Sequence, residues 1–182
     1  MTARLVNVVD VEATCWPGSP PPGQVSEIIE IGLTVVDLVA RERVAKHRIL
    51  VRPRVSSVSE FCTSLTGLTQ SEVDGGVSFA DACARLVDEH EARKRGWASW
   101  GDYDRKQFTR QCAATGVDYP FGARHTNAKA VFAGDGRQVG MARALEITGL
   151  PLEGRHHRGD DDSWNIAALV LLMVERGSWR GV

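Results

Sequence analysis

Three runs rich in β-branched residues crowd the first 53 positions: RLVNVVDVE (4–12), EIIEIGLTVVDL (27–38) and RVAKHRILVRP (43–53). Such residues pack well on a pleated surface, and loop-forming residues bound the runs, so each reads as a strand. WPGSPPPGQ (16–24) separates the first two, and its prolines exclude helix and central strand. Only the short polar link VARE divides the second run from the third, which predicts a hairpin. Three strands connected in this way form an antiparallel meander. The remainder of the chain must then extend that sheet or cover its faces.

It has the means for both. SFADACARLVDEHEARKR (78–95) carries Phe79, Ala82, Cys83, Leu86 and Val87 at helical spacing, with charges opposite. WASWG (97–101) reads as a short strand, and DYDRKQFTRQCAATG (102–116) as a helix ended by Gly116. FCTSLTGLTQSEVDGG (61–76) is turn-rich, with Thr69 to Glu72 as a helix start. NAKAVFAG (127–134) suits a strand or a helix. GRQVGMARALEITG (136–149) and DDDSWNIAALVLLMVERG (160–177) read as helices, each closed by glycine. A meander followed by strand–helix–strand–helix gives an α/β layered domain with a mixed sheet, and residues 1–182 read as one domain.

Composition narrows the class. No apolar run approaches the roughly 18–20 residues that span a bilayer, which predicts no membrane partner. The N-terminal apolar stretch is broken by Asn7, Asp10 and Glu12 and does not read as a signal peptide. The four cysteines are scattered without a C-x-x-C pair, which argues against a zinc site and predicts reduced thiols and a cytoplasmic location. With 22 Lys and Arg against 23 Asp and Glu the net charge is −1, so no broad basic field marks a long nucleic-acid footprint.

The acids are placed unevenly. Asp10 and Glu12 lie two apart at the end of the first strand, so alternation points both to one side. Two like charges beside a core call for a compensating cation, and hard divalent ions suit carboxylate oxygens. In SWGDYDRKQF, Asp102 reads as an N-cap, whereas Asp104 lies one turn before Phe108 and two before Cys112, on the inward face. In EGRHHRGDDDSWNIAAL (153–169), a helix starting near Asp161 puts Asp162 on one face with Ile166, Leu169, Val170 and Met173. Asp160 or Asp161 then suits the N-cap, and in an extended loop His156 and His157 project to different sides. Four inward carboxylates can hold two divalent ions roughly 3.5–4 Å apart, the arrangement that activates a water against a phosphodiester. A nearby histidine can accept that water's proton.

DVEATCW, EIIEIG, FCTSLTGLTQ, WGDYD and GLPLEGRHHRGDDDSWNIA together resemble the motifs of the DEDDh exonucleases, most nearly the KapD-like and Eri-type 3′–5′ exoribonucleases. The resemblance runs from about residue 5 to residue 175. It implies an RNase H-like mixed five-stranded sheet flanked by helices, and two Mg²⁺ or Mn²⁺ ions. It also implies release of nucleoside 5′-monophosphates from the 3′ end of a single strand, RNA rather than DNA. It assigns Asp10, Glu12, Asp104 and Asp162 as metal ligands and His157 as general base. Ala13, Thr14, Leu65 and Thr66 would hold the terminal nucleotide, with Trp16 a weaker addition. Two positions depart from the family. Asp160 stands where an aliphatic residue is usual and adds negative charge near the metals, and Trp164 stands where a basic or small residue is common. Three rival readings stay open: a DNA exonuclease, a phosphodiesterase for short oligonucleotides, and a non-catalytic module that holds RNA ends.

Overall fold

The computed structural model describes residues 4–181. The meander is present: β1 (Leu5–Ala13), β2 (Ile28–Asp37) and β3 (Glu42–Leu50) pair antiparallel in sequence. Beside β1, on its other edge, β4 (Gly96–Ser99) runs parallel to it, and β5 (His125–Asn127) runs parallel to β4. The order β3-β2-β1-β4-β5 is the expected mixed five-stranded sheet.

Helices cover both faces. On one side Val9, Val11, Ile31 and Leu33 pack against Phe79 and Leu86 of α3 (Phe79–Asp88) and Phe108 and Cys112 of α4 (Tyr103–Thr115). On the other, Val6, Val8 and Val36 meet Met141 and Leu145 of α6 (Met141–Thr148) and Ile166, Leu169, Val170 and Met173 of α7 (Gly159–Glu175). A strand covered on both sides should be apolar nearly throughout, and all ten residues of β2 are buried. Between β3 and α3, the turn-rich stretch forms α1 (Glu60–Thr66) and α2 (Gln70–Asp74), the latter started by a capping box of Thr69 and Glu72. The segment 127–134 divides: Asn127 ends β5 and caps α5 (Ala128–Ala133), its side chain accepting from the Ala130 N–H at 2.9 Å.

Several boundaries differ from the expected ones. α3 stops at Asp88 rather than Arg95, and Glu91 just beyond adopts a left-handed φ of 50° that no α-helix continues through. α6 begins at Met141, with 137–140 outside regular structure. α7 begins at Gly159, so the N-cap position belongs to Arg158 and not to Asp160 or Asp161. The reason lies across the fold. The Gly159 N–H donates to Glu30 Oε2 of β2 at 2.6 Å, so a buried carboxylate from another strand caps the helix. The first turn of α7 presses onto β2 so closely that a Cβ on Gly32 would lie 1.8 Å from the Gly159 carbonyl oxygen. Only glycine permits this approach.

Candidate active site

The C-terminal end of β1, the first turns of α4 and α7 and the 153–158 loop meet at a cavity of ≈ 370 Å³. Its lining includes Asp10, Glu12, Asp104, Asp162, His156 and His157. Alternation along β1 holds, because Val9 and Val11 pack into the core beneath α3 and α4 while Asp10 and Glu12 line the cavity. Asp104 is nearly sealed from solvent at 3% exposure, and its Oδ1 accepts the Val11 N–H at 3.0 Å. The inward reading of Asp104 is therefore the observed one. Asp102 occupies the N-cap position of α4, but its side chain caps nothing. It accepts instead from Arg105 Nη2 at 3.1 Å and Asn127 Nδ2 at 3.3 Å, since its backbone (φ −109°, ψ 1°) lies outside the extended region that turns a cap back onto the helix.

The carboxylates repel one another. Burial, with the charges of Asp104, Glu12, Asp162 and Glu30, pushes the Asp10 carboxyl well above its ordinary range. Burial and the neighbouring acids push Glu12 up to about 8. Asp104 is pushed up to about 6 by burial, against the opposing hydrogen bond from the Val11 N–H. Asp162 is raised by burial despite the His156 contact. Carboxylate oxygens of Asp10, Glu12 and Asp162 lie within 4.8 Å of one another. Hard oxygen donors this close, destabilised as anions, fit a divalent cation.

The two histidines do not diverge. Their rings stack at 4.0 Å and 20°, and both line the cavity. Divergence needs extended backbone, and His157 has φ 65°, which rolls its side chain onto the same side as its neighbour. His156 Nδ1 lies 3.1 and 3.0 Å from the two oxygens of Asp162. The His157 backbone N–H donates to Asp162 Oδ2 at 3.0 Å. Burial, and then the adjacent His156, lower the pKa of the His157 ring, which favours the neutral, proton-accepting form.

The extra acids point away from this cluster. Lys46 on β3 pairs with Asp161 and reaches Asp160 at 3.5 Å, and Asp161 also accepts the Arg155 N–H at 2.8 Å. Asp160 thus meets cations on β3, contrary to the expectation that it burdens the metal site. Trp164 lies against the Arg43 guanidinium, 4.0 Å from its ring centroid, and donates to Glu153 at 2.9 Å. Asn165 donates to the Glu153 carbonyl at 2.8 Å, so these contacts strap the histidine loop to α7.

Of the positions expected to hold a nucleotide, Ala13 and Leu65 line the cavity. Thr14 and Thr66 are fully buried and spend their hydroxyls internally. Thr14 Oγ1 donates to the Val25 carbonyl at 3.1 Å and accepts the Glu27 N–H at 2.9 Å; Thr66 Oγ1 donates to the Cys62 carbonyl at 2.9 Å. They shape the wall without facing the space. Trp16 does not line it. Tyr103, Trp100, Cys15 and Met141 do, and sequence reasoning passed them over. Tyr103 had a signal, an aromatic side chain directly before a candidate acid. Glu30 had one too, as a charge inside a continuous apolar run, which demands a partner.

Residues 8–170 match the RNase_T exonuclease family. This chain belongs to that family. Human 3′-5′ exoribonuclease 1 is 31% identical over 183 residues, covering 93% of this chain and 52% of that protein. The chain therefore spans about half the length of that curated relative. The "Probable 3'-5' exonuclease KapD" of Bacillus subtilis (strain 168) is 28% identical over 180 residues, covering 96% of this chain and 87% of that protein. Among solved structures, the nuclease domain of 3′hExo, a DEDDh family member bound to rAMP, superposes with a TM-score of 0.84 at 29% identity. That match covers 97% of this chain and 94% of the other. The fold is that of the RNase H-like DEDDh exonucleases, and the family carries divalent metal use with it.

Proposed function

We infer that this exonuclease domain removes nucleoside 5′-monophosphates from the 3′ end of single-stranded RNA. The observation that carries the reading is the convergence of Asp10, Glu12, Asp104 and Asp162 with His156 and His157 on one open cavity. RNA is favoured over DNA because the human relative is named an exoribonuclease and the 3′hExo neighbour holds a ribonucleotide.

Asp10, Glu12, Asp104 and Asp162 would hold two divalent cations, Mg²⁺ or Mn²⁺. Bound there, such ions supply a low-pKa water and charge stabilisation at the phosphodiester. The remaining work falls to the chain. His157 accepts the proton of the attacking water, because its ring carries no hydrogen bond to a protein group among the described residues while His156 Nδ1 is engaged by Asp162. His156 stacks on that ring and limits its rotation. Leu65 on one wall and Tyr103 on another present apolar surface to the terminal base, and contact of this kind reads no base identity. Ala13 lines the cavity beside them. Four free thiols suit a reducing compartment such as the cytoplasm, and no described helix is long and apolar enough to cross a membrane.

The test is incubation of uniformly labelled single-stranded RNA, the matching DNA and a circular RNA with the protein in Mn²⁺ or EDTA. Mononucleotides should leave the linear RNA in Mn²⁺ only, with the circle intact. Cutting of the circle, or undiminished cleavage in EDTA, would overturn the reading. A faster rate on DNA would reassign the substrate.

A further inference from the structure

Net charge near zero hides a local imbalance. Two adjoining cavities of ≈ 300 and ≈ 180 Å³ run between the segment after β3 and the outer side of α4, sharing Glu27, Arg54, Gln111 and Thr115. Arg52 lines the first and Arg110 the second. All three arginines are exposed, and none forms an ion pair with a carboxylate among the described residues. Arg43, Lys46, Arg48 and Arg105, by contrast, are each paired with an acid.

The walls between the arginines are apolar. Val25 and Val55 stand 52% and 54% exposed, unusually open for valine. The one acid is Glu27 at the floor, and its two oxygens are occupied by the N–H groups of Arg54 at 2.9 Å, Val55 at 3.0 Å and Ser56 at 2.7 Å. The groove lies beside the catalytic cavity along α4. Tyr103 lines that cavity, Gln107 lies one turn further on and donates to the Ser26 carbonyl at 3.0 Å, and Ser26 lines the groove. Arg110 Nη2 donates to the Ser26 carbonyl at 2.9 Å, so the guanidinium is held there.

We propose that this groove is a binding track for the single-stranded RNA upstream of the scissile bond, with Arg110, Arg54 and Arg52 meeting successive backbone phosphates. The proposal rests on the 3′–5′ exoribonuclease reading. Exposed guanidinium groups give sequence-independent phosphate contacts, and apolar faces between them accept bases without reading them. A track outside the cavity makes affinity rise with substrate length while the chemical step stays unchanged. It also weighs against a dedicated phosphodiesterase for very short oligonucleotides, the reading that a lack of basic surface had kept open.

The experiment compares the parent with Arg52→Gln/Arg54→Gln/Arg110→Gln and with the corresponding triple lysine variant. Cleavage of a 12-nucleotide single-stranded RNA and of a dinucleotide is followed in Mn²⁺, and binding of labelled 12-mer is followed in EDTA by anisotropy. The glutamine variant should raise KM for the 12-mer by about tenfold with kcat kept, and leave kcat/KM for the dinucleotide within about twofold. The slope of log Kd against log salt should shrink by about 2, since single strands contribute roughly 0.7 per phosphate contact. The lysine variant should recover most of the affinity, because a phosphate contact needs charge rather than fork geometry. An unchanged 12-mer KM and salt slope, or equal losses on both substrates, would overturn the track. If the parent cleaves neither substrate, the functional reading fails by itself, and the anisotropy comparison still decides the groove.

Discussion

Two pairs of neighbours, His156 with His157 and Asp102 with Asp104, carry the residue-scale questions. Stacking puts both histidine rings in the cavity, so proximity alone does not choose the base. Engagement favours His157 under the proposed function, since His156 Nδ1 faces both Asp162 oxygens while His157 bonds Asp162 only through its backbone. His157→Asn should lower turnover by roughly 10²–10⁴-fold, the usual worth of a positioned acid–base group. Asparagine is well tolerated at the left-handed φ, so the backbone argument is held constant. His156→Ala should stay within a few-fold of the parent, and single-turnover rates of the two variants side by side decide. A crippled His156→Ala beside a normal His157→Asn would reverse the roles. For the aspartates, Asp104→Asn should nearly abolish turnover while the fold survives thermal melting. Asp102→Ala should leave activity intact and cost under about 1 kcal/mol, because its partners form a half-exposed pair and not a helix cap.

At the scale of elements, the site depends on where α7 begins. Asp162 enters the cavity because the helix starts at Gly159, which is seated on Gly32 and capped by Glu30, itself paired with Arg48. Glu30→Ala removes the helix-capping acceptor and leaves the Arg48 charge without its partner, at a cost of roughly 2–4 kcal/mol. Gly32→Ala forces α7 off the sheet, since no flexible side chain is available to give way. Both variants should lose activity together with protection of the α7 first-turn amides in hydrogen exchange, although neither residue lines the cavity. Retained protection with lost activity would give Glu30 a more direct part in the chemistry.

For the whole molecule, the cost of gathering the acids appears as pH dependence. Asp10, Glu12, Asp104 and Asp162 all have folded-state pKa values raised above their ordinary ones. Below the ordinary carboxylate range every form is protonated and nothing is lost. As pH rises toward about 8, the value reached by Glu12, the unfolded chain ionises freely and the folded chain does not, so stability falls. His90, His125 and His157, with lowered values, gain stability as pH rises toward about 6.5 and oppose this below that point. The metal-free protein should therefore melt at progressively lower temperature between about pH 6.5 and pH 8. Mg²⁺ or Mn²⁺ should raise the melting temperature, and more at the alkaline end. At a hundredfold excess over Kd the linkage is about 2.7 kcal/mol. Melting curves in EDTA and in Mn²⁺ across this range check it; a metal-independent pH profile would count against the acids as ligands.

The meander, the alternation that turns Asp10 and Glu12 together, the inward face of Asp104 and the apolar stripe behind Asp162 were all legible in the sequence. Each depends on a local period of two or about 3.6 residues, which a linear chain displays directly. The contacts that finish the site join positions far apart along the chain. Glu30 caps Gly159, Lys46 neutralises Asp160 and Asp161, Gly32 admits α7, and Gln107 and Arg110 meet Ser26 beside the groove. No periodicity encodes those pairings. The left-handed turn at His157, which stacks two histidines expected to diverge, is likewise set by the loop's anchorage to α7 through Glu153, Trp164 and Asn165. Local hydrophobic pattern decided which side chains face inward; tertiary packing decided which of them meet, because partner choice depends on the sheet register and helix seating that only the folded chain possesses.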